Sequence, residues 1–191
     1  AGNLRALCGR RSRPGRGRGV SAIAGSTSSS EGRGAVRLGL VVAVAILIAD
    51  QATKLWILDL MQPPRRIEVT GFFNLVLVWN PGVSFGLFGS GASAWQPWLL
   101  SAFATIVAGG LIYWLVTGQH SRGPALGIGL IVGGAIGNVI DRVRFGAVVD
   151  FVDLHAGGWH WPAFNVADSA IVVGVGLLLL DAFLRGDGES A

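Results

Sequence analysis

Four runs of apolar residues, each about as long as a bilayer is thick, constrain this chain more than any other feature of its sequence. They cover about residues 36–58, 95–116, 124–140 and 166–184. A helix rises 1.5 Å per residue and needs roughly 20 apolar residues to cross the hydrocarbon core. None of the runs has the alternating ten-residue pattern of a membrane β-barrel strand. Only 14% of the residues are charged, against about 25% in a soluble domain. The single cysteine, Cys8, allows no intrachain disulfide and no cysteine-rich metal knuckle. The expected fold class is all-α: a four-transmembrane-helix bundle.

Charge orients the bundle. Residues 1–37 hold eight arginines against one acid, Glu31. Basic residues beside a first span keep that side in the cytoplasm, which places both termini there. Residues 1–35 read as a disordered Arg/Gly/Ser-rich cytoplasmic tail, 36–185 as the membrane domain and 186–191 as a short C-terminal tail. The tail has no aromatic residue to stack a base, so no nucleic-acid partner is expected. It has no long apolar core, so it is not a cleavable signal peptide. The connections 59–94 and 141–165 then face outward. In the first of these, residues 72–79 are aromatic and β-branched, and Asn80-Pro81-Gly82 follows. That pattern predicts a strand and turn, within a small extracytoplasmic β-element over about 68–90 that lies against the bundle or at the interface. Gly129, Gly133 and Gly137 place a smooth ridge on the third span, for close helix packing.

Ionisable groups sit where a bilayer penalises them. Asp50 and Lys54 lie at i and i+4 late in the first span; Asp141 and Arg142 end the third, with Asn138 one turn earlier. Asp150 lies among Val148, Val149 and Phe151, and Asp168 one turn into the fourth span, three residues after Asn165. All converge on the outward ends of the helices. Such residues mark either function or a tight packing partner. Asp50 with Lys54, and Asp141 with Arg142, have partners at hand; Asp150 and Asp168 have no base within a helical turn. Two carboxylates held together in low dielectric share a proton and become an acid and a base around a water. A proton relay needs ionisable groups at several depths, and apart from Arg37 and Asp181 near the ends the cytoplasmic halves of the spans hold none. His155 and His160 lack the spacing of two ligands on one helix face, so no metal and no cofactor is expected.

The same residues carry a resemblance. Asp50-Gln-Ala-Thr-Lys54, Asn80-Pro-Gly-Val-Ser-Phe-Gly86, Gly133-Gly-Ala-Ile-Gly-Asn138-Val-Ile-Asp141-Arg142, Gly146-Ala-Val-Val-Asp150-Phe151 and Phe164-Asn165-Val-Ala-Asp168 occur in this order. Together, over about residues 38–184, they resemble the bacterial lipoprotein signal peptidase (signal peptidase II) family. The resemblance implies an aspartyl peptidase of the bacterial cytoplasmic (inner) membrane, with its site near the outer leaflet and an outer β-cradle. Its substrates would be prolipoproteins whose lipobox cysteine carries diacylglycerol, its surroundings membrane lipids, and its inhibitor the cyclic peptide globomycin. By this resemblance Asp150 and Asp168 are catalytic. Asp50, Lys54, Asn80, Gly134, Asn138, Asp141, Arg142 and Asn165 shape or support the site. Asn165 and Asn138 are expected to donate hydrogen bonds to the carboxylates or the substrate backbone, and Arg142 to pair with Asp141. The arginine-rich tail departs from the family pattern, in which chains begin just before the first span.

Overall fold

The computed structural model describes residues 21–82 and 95–186, with side chains from 32 to 184. The expectations for residues 1–20, for 83–94 (the end of the β-element and of the 80–86 motif) and for 187–191 lie outside the described residues. The elements run α1 (Ser21–Leu60), β1 (Ile67–Thr70), β2 (Phe73–Asn80), α2 (Gln96–Thr117), α3 (Arg122–Phe145), β3 (Val148–Ala156), β4 (Trp159–His160) and α4 (Val166–Gly186). Four helices are long and apolar enough to cross a membrane, α1 through its Gly32–Leu60 part. The protein is a multi-pass membrane protein with a small antiparallel sheet.

Three boundaries differ from those expected. The helix α1 starts at Ser21, inside the stretch read as a disordered tail to residue 35. No proline interrupts residues 21–35, and a helix already nucleated by an apolar span extends at little cost. The third helix continues past 140 to Phe145, so Asp141 and Arg142 lie inside it. The connection after α3 holds β3 and β4.

The middle of the bundle is α3. Over an apolar stretch of 18 residues in its span 67% are buried, against 17% in each of the other three. Small residues make this possible, because lipid supplies no hydrophobic drive between helices and van der Waals contact must do so instead. A Cβ on Gly133 would overlap the Ala43 carbonyl of α1, and one on Gly134 the Ala167 carbonyl of α4. The backbones of α1 and α4 therefore lie directly against α3 on two faces. Ala35, Ala43, Leu115, Ala125, Ile128 and Val132 form the apolar core of the bundle.

At the other end of α3, Gly146 takes φ 72° and its N–H caps the Arg142 carbonyl. Glycine adopts that left-handed turn without a Cβ penalty, and the chain leaves directly into β3. The sheet order is β1-β2-β3-β4, antiparallel throughout. The strand β2 pairs with β3 through Phe73↔Leu154 and Asn80↔Val148, with a register shift between Leu75 and Val78. The sheet rests on the bundle end through Leu75, Leu77 and Val152, packed on Ile57, Met61 and Phe151. The segment before α4 is stapled to β3: Phe151 and Val152 donate to the Phe164 carbonyl at 3.1 and 2.9 Å, and Phe164 donates to Val152 at 3.1 Å.

Candidate active site

Beneath the sheet, four elements bring their polar residues to one depth. Lys54 is buried in α1 and uses all three ammonium hydrogens. They go to Asp50 Oδ2 at 2.8 Å, Asp141 Oδ2 at 2.8 Å and Asn138 Oδ1 at 3.0 Å. A buried charge persists only when paired and hydrogen-bonded in this way. Asp50 also accepts the Ala167 N–H on Oδ1 at 3.0 Å, and Asp141 the Val149 N–H on Oδ2 at 3.1 Å. Gln51 donates to Asp141 Oδ1 at 3.1 Å, to Asp50 Oδ2 and to the Gly137 carbonyl. Gly137 has no room for a side chain, because a Cβ there would overlap Asp50 Oδ2.

Arg142 does not pair with Asp141. Successive residues on a helix point about 100° apart, so Asp141 turns inward to Lys54 and Arg142 turns toward the sheet. Its Nη1 reaches the Asn138 carbonyl at 3.4 Å, and its buried Nε has no partner among the described residues.

Asp150 is delivered by β3, where it is 1% exposed. Its Oδ1 accepts from Asn165 Nδ2 at 2.7 Å and its Oδ2 from Asn80 Nδ2 at 2.9 Å. Burial pushes its carboxyl up to about 6; the Asn80 hydrogen bond works against that shift and the charge of Asp168 adds to it. No base forms an ion pair with it among the described residues, in contrast to Asp50 and Asp141.

Asp168 owes its place to a helix cap. Asn165 Oδ1 accepts the Asp168 N–H at 2.9 Å, and Asp168 Oδ2 accepts the Asn165 N–H at 3.3 Å. This reciprocal pair is a capping box, with Asn and Asp in place of the usual Ser or Thr and Glu. The other oxygen, Asp168 Oδ1, accepts from Asn138 Nδ2 at 2.8 Å. Asn165 thus touches both aspartates, one through its side-chain amide and the other through its backbone N–H. The strand-like staple at Phe164 holds it beside β3. Gly134 takes no part in this chemistry; it packs α3 against α4 one residue before Asp168.

Asp150 opens onto a cleft of about 570 Å³ between the bundle and the sheet, walled by Trp79, Asn80, Leu100, Arg142 and Pro162. That is the size range of sites that bury a small ligand or a short peptide segment. A second polar cluster sits higher on the sheet. Asp153 accepts from Asn74 at 2.8 Å, Arg66 at 3.0 Å and His160 at 2.7 Å. The His160 and Asn74 hydrogen bonds, with Arg66 beside them, hold its carboxyl below the usual carboxylate range. His155 stacks on His160 with ring centroids 5.0 Å apart. The sequence reading missed Asn74 and Gln51, and weighed Asp153 only as a neighbour of His155 and His160. Gln51 had a signal, an amide inside an apolar helix beside Asp50; Asn74 had none, because it meets Asp153 only through strand pairing.

Comparison with known proteins gives a consistent neighbourhood. The family model described as Signal peptidase (SPase) II matches residues 42–184. The lipoprotein signal peptidase of Methylobacterium sp. (strain 4-46) is 49% identical over 81% of this chain and 94% of its own length. That of Burkholderia thailandensis is 42% identical over 85% and 97%. Two solved structures of bacterial membrane enzymes, obtained by the in meso method, superpose with TM-scores of 0.68 and 0.66 at 31% and 33% identity. They cover 80% and 75% of this chain, and 91% of each of their own.

Proposed function

From a chain that belongs to the signal peptidase II family, we propose an aspartyl endopeptidase in which Asp150 and Asp168 activate water to cut signal peptides from diacylglyceryl-modified prolipoproteins. The observation that carries this reading is Asn165, which hydrogen-bonds Asp150 at 2.7 Å and Asp168 at 3.3 Å and so ties the two carboxylates to one residue, with Asp150 at the wall of the cleft. The raised pKa of Asp150, about 6, supports a pair that keeps one proton near neutral pH. One carboxylate takes a proton from the attacking water. The other gives a proton to the carbonyl oxygen or the leaving amine.

Depth supports the substrate class. A cysteine anchored by acyl chains holds the bond before it near the membrane surface, and the aspartates lie at one end of four membrane-crossing helices. The arginine-rich N-terminal segment favours a cytoplasmic N-terminus, which puts that end at the outer leaflet of the bacterial cytoplasmic membrane. Lipids would contact the exposed helix faces, and globomycin would compete for the cleft. The test is cleavage of a diacylglyceryl prolipoprotein by the purified protein in detergent. A shortened product is expected from the unaltered enzyme. Asp150→Asn and Asp168→Asn should each reduce turnover by at least about 10²–10⁴-fold, the share that positioned acid–base groups supply. Near-normal turnover by either folded variant would sink the assignment.

A further inference from the structure

The two aspartates sit on different elements, β3 and α4, and nothing covalent sets the distance between them. Each is preceded by a residue whose backbone N–H is held by a buried carboxylate. Val149, before Asp150, donates to Asp141 Oδ2 at 3.1 Å; Ala167, before Asp168, donates to Asp50 Oδ1 at 3.0 Å. Both carboxylates grip the same Lys54 ammonium at 2.8 Å. The third ammonium hydrogen reaches Asn138 Oδ1 at 3.0 Å. An ammonium only donates, so it fixes which end of that amide faces it and turns Nδ2 onto Asp168 Oδ1, 2.8 Å away.

We propose that Lys54 is a positioning residue: with Asp50 and Asp141 as arms, it sets the spacing of Asp150 and Asp168 by tying down the backbone just before each of them. The inference rests on the reading of those aspartates as the catalytic pair. It assigns Lys54 a task different from satisfying two buried charges. A charge pair asks only that opposite signs stay close. A brace also asks that each arm keep an acceptor oxygen for its backbone N–H.

The arms differ in a way that separates these two ideas. Asp50 spends its oxygens on different donors, Oδ1 on Ala167 and Oδ2 on Lys54. An asparagine has one acceptor oxygen, so Asp50→Asn must release one of them. Asp141 takes both Lys54 and Val149 on Oδ2, and its Oδ1 meets only the half-buried Gln51 amide. Asp141→Asn therefore keeps both bonds of its arm on its one acceptor oxygen; what it gives up is the half-buried Gln51 amide, which must swing away from Asp141, Asp50 and Gly137. Equal loss of charge should have unequal effects.

The experiment compares kcat and KM for lipidated prolipoprotein in detergent, with thermal unfolding as the check on folding. Asp50→Asn should lose at least about 100-fold in kcat with KM little changed, the effect of moving reacting groups by about 1 Å. Asp141→Asn should lose less than about 10-fold, short of that misplacement penalty. The uncharged variant Asp50→Asn/Lys54→Met/Asp141→Asn leaves no buried charge in the cluster to satisfy, but nothing joins the two arms. It should fold and still lose at least about 100-fold in kcat, since the spacing is no longer set. Equal losses in the two single variants, or a folded triple variant with near-normal kcat, overturn the brace. If Asp50→Asn does not fold, the triple variant decides alone: a folded but inactive protein supports the brace, and near-normal cleavage overturns it. Asp150→Asn and Asp168→Asn run alongside. Activity retained in either strikes the catalytic pair and the brace with it, whereas inactivity there with equal arm losses strikes the brace alone.

Discussion

Asp150 is a carboxylate that the fold makes hard to ionise. Its carboxyl moves from an ordinary 3.8 to about 6, chiefly through burial, which corresponds to about 3 kcal/mol at most. Between those values the folded protein binds a proton that the unfolded chain releases. Its contribution to stability is therefore full below about pH 4 and is lost as pH rises through about 6. Asp150→Asn removes the titration. The stability of the unaltered protein relative to this variant should fall from pH 4 to pH 7, as read from unfolding in detergent at each pH. A constant difference would mean that Asp150 is not held as described. The histidines allow a second prediction. His160 is committed to Asp153 at 2.7 Å, and among the described residues no three of His, Cys, Asp and Glu lie close enough to hold a metal ion. Chelation by EDTA or phenanthroline should leave cleavage unchanged; activity lost to chelator and restored by zinc would make His155 and His160 ligands.

At the scale of elements, contact between backbones is what the α3 glycines provide. Gly133→Ala places a Cβ into the Ala43 carbonyl and should destabilise the bundle by about 1–3 kcal/mol. Gly110→Ala in α2 meets nothing within 4 Å and should leave stability unchanged or raise it by up to about 1 kcal/mol. Unfolding of the two variants side by side gives the comparison. The helices were legible in the sequence because a bilayer demands length and apolarity, and both are countable. The ridge of Gly129 and Gly133 was legible for the same reason, since its period matches a helix; the two face Gly39 and Ala43 of α1. The strand β3 was not. Val148, Val149, Asp150 and Phe151 are all buried, so the period-2 alternation that betrays a half-exposed strand is missing. The same burial hid how Asp150 reaches the cleft. Its residue type and apolar setting were visible, while the Gly146 turn and the Phe164 staple that aim it are tertiary features. Arg142 and Asp141 show the opposite failure: adjacency in sequence suggested a pair that helix geometry keeps apart.

For the whole molecule, the polar cluster gathers at one bundle end, and α1 enters the bundle from the other, past Arg33 and Arg37. Deleting residues 2–31 leaves the membrane-crossing part of α1, which begins at Gly32, with Arg33 and Arg37 in its first turns. Cleavage in detergent should be intact. The fraction of molecules inserted with the N-terminus in the cytoplasm should fall in part, as measured by protease access to sealed vesicles. A truncated protein that inserts normally but does not cleave would give the segment a role in catalysis. Asp50 and Ala167 meet across 117 positions of chain, so the first helix to emerge from the ribosome waits on the last for its hydrogen bond. Until that final helix enters the bilayer, Lys54 and its carboxylates have no α4 to hold and Asp168 has no cap. On the proposed reading of Asp150 and Asp168, a chain that stalls or is clipped before the fourth span lacks one of the pair, and would leave an inert remnant in the membrane, not a loose protease.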